Sequence, residues 1–130
     1  NHESAFDHLR EAVKRSDSLH YSEPWPWMHP PRHALGALLM EQGQHEEAEK
    51  IYREDLGLTN SVVRCAQHPN NVWALHGLVE CLTIRGDRGE RGKKEELAKF
   101  KTLLNSAIAK ADVAVTSSCC CREKVRDLPG

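Results

Sequence analysis

Ala5, Phe6, Leu9, Ala12 and Val13 fall on one helical face, and Glu3, Asp7, Arg10 and Lys14 fall opposite. The spacing predicts an amphipathic helix over residues 3–16. Four more stretches read the same way. Residues 31–42 align Leu35, Leu38, Leu39 and Gln42. Residues 45–56 align Ala48, Ile51, Tyr52 and Leu56. Residues 71–85 align Leu75, Leu78, Val79 and Leu82, and residues 93–111 align Leu97, Phe100, Leu104, Ala107, Ile108 and Ala111. The punctuation agrees: Gly43, Gly57 and Gly86 are helix stops, Asn70 or Asn71 can cap the helix after "HPNN", and Pro30 or Pro31 suits a first turn. No pair of strands appears. The expectation is an all-α chain of about five helices: a single helical domain over 1–112 and an extended or mobile tail over 113–130.

One stretch breaks the pattern. "YSEPWPWMHPPRH", from Tyr21 to His33, holds four prolines, two tryptophans and two histidines. The prolines forbid a helix interior and favour extended backbone. The stretch is read as a rigid linker whose tryptophans pack across neighbouring helices. The alternative is a binding pocket lined by Trp25, Trp27 and Met28, since loops on a rigid scaffold often carry recognition.

The helices also repeat. Leu35, Leu39 and Gly43 correspond to Leu78, Leu82 and Gly86 at an offset of 43 residues, which is a helix-pair period of about 34 plus an insertion within 57–68. "LGALLMEQGQHEEAEKIY" resembles a tetratricopeptide repeat: Leu35–Gly36 matches the Leu–Gly pair, and Ala48 and Tyr52 match the Ala and the aromatic of the second helix. The segments "AEKIYREDLG", "HPNNVWALHGL" and "ADVAVTSSC" extend the likeness to C-terminal segments of bacterial and fungal tetratricopeptide proteins over nearly the whole chain. Arg32 stands where that family often has Trp, Leu39 where it has Tyr, Asn60 where it has Pro, and Val79 where the second unit would have its glycine. The resemblance implies an antiparallel helix-pair array that buries its open face by stacking. It implies no defined activity. The expected function is a non-enzymatic scaffold binding a peptide, a partner helix or another copy of itself. Trp25, Trp27, Arg32, His33, Trp73 and His76, near the starts of the first helices, are the candidate contact positions.

Charge narrows the partners. Net charge is −1 and the isoelectric point about 6.8, which leaves no electrostatic footprint for nucleic acid. No run approaches the length of a membrane span. "NHESAFDHLR" has neither the charged start nor the apolar stretch of a signal peptide, and without an initial Met it reads as the start of a fragment or processed product. Residues 41–55 carry six acids and two bases, and residues 85–101 seven bases and four acids. Most of this reads as solvated surface, with head-to-tail pairing between chains as a lesser reading.

Five cysteines, an odd number, read as reduced thiols in an intracellular, cytoplasmic protein. Catalysis has no foothold: thiols and imidazoles are present without a spacing that ties them together, and "GDRGERG" lacks the Lys-Ser/Thr of a phosphate loop. No cofactor is expected. The competing reading is a small metal-binding or redox protein. It would use Cys65 and His68 at C-x-x-H spacing, the run Cys119, Cys120 and Cys121, and His29 with His33. Adjacent thiolates take soft cations, and neutral imidazole is a common ligand. The bland reading of each group is an exposed or satisfied histidine and an incidental thiol.

Overall fold

A computed structural model describes residues 1–21, 28–120 and 122. The linker tryptophans Trp25 and Trp27, together with Cys121, lie outside them. The chain is all-α: α1 (His2–Asp17), α2 (Pro31–Glu41), α3 (His45–Asp55), α4 (Val72–Asp87) and α5 (Lys93–Lys110), with a 3-10 turn at Arg64–Ala66 before α4. The described residues contain no strand. Each helix packs on its sequence neighbour, and α2 also touches α4. Among the described residues no helix is long and apolar enough to cross a membrane.

Local chemistry sets the ends. The Asn1 side chain accepts from the Glu3 amide, and the Asn71 side chain accepts from the amides of Trp73 and Ala74. Pro31 opens α2, where a missing N–H has no partner to lose. Gly86 is not the stop expected of it. The fourth helix runs through it to Asp87, and the left-handed turn falls at Gly89.

The core joins Phe6 of α1, Leu35 and Leu39 of α2, Ala48, Ile51 and Tyr52 of α3, Leu75, Leu78 and Leu82 of α4, and Phe100 and Leu104 of α5. Tyr52 is its centre. The ring is fully buried and lies between two glycines. A Cβ on Gly36 would come within 2.6 Å of the ring, and one on Gly77 within 2.2 Å. The repeat register sets Val79 opposite Gly36. The glycine that shares its task is Gly77, because both helices must approach one aromatic ring.

The first, third and fifth helices are amphipathic in the usual sense, whereas the two between them are buried nearly all round. In α4 even His76, Glu80 and Thr83 are inside. The cause is a layer that periodicity does not register. Residues 115–119, expected in an extended or mobile tail, return to the body and bury Val115, Ser117, Ser118 and Cys119. At the opposite end, Ile108 on the apolar stripe of α5 is 39% exposed, since no described element covers that side of the helix.

Part of the expected charge asymmetry pairs within the chain. Glu49 of α3 is buried and accepts from Arg53, Arg85 and Lys93 at 2.7–2.9 Å, while Arg53 also donates to Glu96 at 2.6 Å. One carboxylate therefore ties α3 to α4 and to the start of α5. Burial opposes its charge, and the Lys93 and Arg53 contacts outweigh it to hold the pKa below the ordinary value.

Candidate functional site

Two neighbouring features carry polar chemistry. The first is the face shared by α2 and α4, on which the returning segment lies. Tyr52 reaches it from α3 through the gap that Gly36 and Gly77 leave, and its hydroxyl donates to Ser118 Oγ at 2.7 Å. Burial pushes the Tyr52 pKa upward, so the phenol stays a donor. Further along, Arg122 makes a two-pronged ion pair with buried Glu80 at 2.8 and 2.9 Å and comes within 3.5 Å of Glu41. A bidentate guanidinium–carboxylate pair fixes direction as well as position. The Ser117 hydroxyl donates to the Cys119 carbonyl at 2.7 Å, and the Arg122 amide to the same carbonyl at 3.1 Å, which closes a turn.

The second feature is a cleft of about 260 Å³ at the N-terminal end of that face, lined by Met28, His29, Pro30, His33, His68, Asn71, Trp73 and Cys120. Beneath it lies a histidine–carboxylate–histidine network. Asp55 is fully buried. His33 Nε2–H donates to one of its oxygens at 2.9 Å, and His68 Nδ1–H to the other at 2.7 Å. Burial acts to raise the Asp55 pKa, but the two imidazole hydrogen bonds win and hold it below the ordinary 3.8. His29 stands edge-on to His33, ring centroids 6.1 Å apart. Its pKa is lowered by burial and by His33.

At its mouth, Cys119 Sγ lies 3.4 Å from His29 Nε2, although the two residues are 90 positions apart. The ligand atoms of His29, Cys119 and Cys120 all fall within 4.8 Å of one another. Cys119 is disulfide-bonded, against the expectation that every thiol is reduced, while Cys65, Cys81 and Cys120 are free. Cys81 is buried with its thiol 3.1 Å from Met40 Sδ, and burial pushes its pKa upward, as suits a small core residue.

The candidate contact positions separate. Trp73 is half-buried and lines the cleft. His33 lines it too, yet is itself buried on Asp55. Arg32 is buried, donating to both Asp17 oxygens at 2.6 Å with Glu54 at 3.5 Å, so it joins α1 to α2, and it lines a separate pocket with Asp17, His20 and Pro31. His76 is buried on α4, where burial lowers its pKa, and its Nδ1 has no partner among the described residues.

Of the Cys/His set, His29, His33, His68 and Cys120 share the cleft, with Cys119 beside it, whereas Cys65 sits exposed on the 3-10 turn and outside that group. From sequence Asp55 reads only as a carboxylate without a recognisable pair, although its position carried a signal. It lies four residues after Ile51 on the inward stripe of α3, where a carboxylate needs partners. Ser118 and Arg122 offered no such signal, because their partners are 66 and 42 residues away.

Against protein-family models, curated proteins and solved structures alike, the chain finds no match.

Proposed function

We propose that this chain is a non-enzymatic interaction scaffold of tetratricopeptide-like helix pairs, and that the α2/α4 face is its peptide-binding surface. One observation carries the reading: a segment of the chain itself, ending in a turn, lies on that face. A serine accepts from the Tyr52 hydroxyl, which lies between Gly36 and Gly77, and an arginine pairs with the Glu80 carboxylate. A partner with the same chemistry, a short stretch of small residues followed by a basic one, would use the same contacts by displacing the segment or by exchanging it with a second copy.

A labelled peptide with the sequence of residues 112–122, added to the full-length chain, tests this. In Arg122→Glu the segment meets Glu80 with like charge and loosens, so the peptide should bind more tightly than to wild type. Glu80→Arg should abolish binding in trans. If both variants keep the wild-type helix content and neither changes peptide binding, the face is not a peptide site.

A further inference from the structure

We propose a second site at the mouth of the cleft, in which His29, Cys119 and Cys120 hold one thiophilic d10 cation, Zn2+ or Cu+, once the disulfide at Cys119 is reduced. The inference goes beyond the peptide surface and does not rest on it.

Three soft or borderline donors converge from opposite ends of the chain. Cys119 Sγ is 3.4 Å from His29 Nε2, and the three donor atoms lie within 4.8 Å of one another. Donors on one tetrahedral or trigonal ion, at metal–sulfur and metal–nitrogen distances of about 2.3 and 2.0 Å, must be separated by roughly 3.5–4 Å. Once the disulfide is reduced, only side-chain rotations stand between this arrangement and a coordination sphere. Two sulfurs and an imidazole favour soft and borderline ions over Mg2+ or Ca2+. Accessibility differs in a useful way: Cys119 is fully buried while His29 and Cys120 are exposed, so an ion has a path in and a dry inner ligand. Three protein ligands would leave a tetrahedral ion one open position, facing the cleft.

The chemistry balances through thiol exchange. A dithiol reductant attacks the disulfide of Cys119, the S–S bond breaks, two electrons and two protons pass to its sulfurs as thiols, and the reductant leaves as its own disulfide. Coordination then expels the protons of Cys119 and Cys120, while His29 binds through neutral imidazole. Oxidation removes one ligand, so the site is gated by redox state.

The decisive experiment titrates the full-length chain with Zn2+, and separately with Cu+ under anaerobic conditions, against a chromophoric chelator, before and after dithiol reduction. The reduced wild type should bind one equivalent of at least one of these ions, and the oxidised chain should bind much more weakly. His29→Ala and Cys120→Ser, both at exposed positions, should each weaken binding by more than the roughly 10- to 100-fold cost of losing an outer-shell partner. Cys65→Ser and Cys81→Ser should bind as wild type does, and circular dichroism should be unchanged in His29→Ala and Cys120→Ser. Failure of the reduced chain to bind either ion overturns the proposal. So does binding that survives His29→Ala, which would assign the ion to cysteines alone, or equal affinity in the oxidised chain, which would remove the gate.

Discussion

At the scale of single residues, two positions decide more than their size suggests. Gly77 exists for close approach: a methyl group there would sit 2.2 Å from the Tyr52 ring, inside any real contact. The ring cannot swing away, because it is fully buried and its hydroxyl is held by Ser118. Gly77→Ala should therefore cost about 1–3 kcal/mol despite the better helix propensity of alanine. Gly86→Ala is the control. Its methyl would meet the flexible Lys94 side chain at 3.3 Å and otherwise make ordinary contacts at 3.8 Å with Lys93 Cβ and the Lys94 amide nitrogen, so the change should be neutral or stabilising by up to about 1 kcal/mol. Urea unfolding of the pair checks both signs.

Asp55 is the other position. Its folded pKa lies below 3.8, so in the acid range the unfolded chain binds more protons and stability rises with pH. The contribution is complete above the ordinary carboxylate range and is lost as pH falls through the lowered folded value. Asparagine could accept from only one of the two imidazoles and would set its NH2 against the other N–H. Asp55→Asn should cost about 1–3 kcal/mol at neutral pH, and the difference from wild type should shrink below pH ~4. Thermal melts across that range measure it.

At the scale of elements, helices were legible wherever one face met solvent. The stripes of α1, α3 and α5 and the caps at Asn71 and Pro31 were visible because period and cap chemistry are local properties. α2 and α4 gave their extent but not their surroundings. A helix covered on two sides shows no clean polar face, and the stripe of Leu75, Leu78, Val79 and Leu82 does not register that His76, Glu80 and Thr83 are buried too. Acidic and basic runs far apart in sequence looked like surface for the same reason. That Glu49 gathers Arg85 and Lys93 depends on the packing of three helices, which periodicity does not encode. The candidate site follows the same rule. Its residue types were legible as a Cys/His set. Which of them meet was not, because His29 and Cys119 come together only when the tail returns to the body.

The whole molecule thus has two kinds of order. Its helices contact their sequence neighbours, which keeps most loop closures short. The returning segment is different: Ser118 meets Tyr52 across 66 residues and Cys119 meets His29 across 90. Closing such loops before the α2/α4 face exists costs entropy with no contact to offset it, so the segment should dock after the transition state for folding. Ser118→Ala tests this order. It removes the acceptor of a buried phenol and leaves that phenol unsatisfied, at a cost of about 1 kcal/mol or more. If docking is late, the folding limb of the chevron stays in place and unfolding accelerates about fivefold for each kcal/mol lost. A slowed folding limb would instead mean that the tail helps build the face it covers. The helix array alone would then be an incomplete folding unit, and any partner that displaces the segment would be acting on the stability of the whole chain.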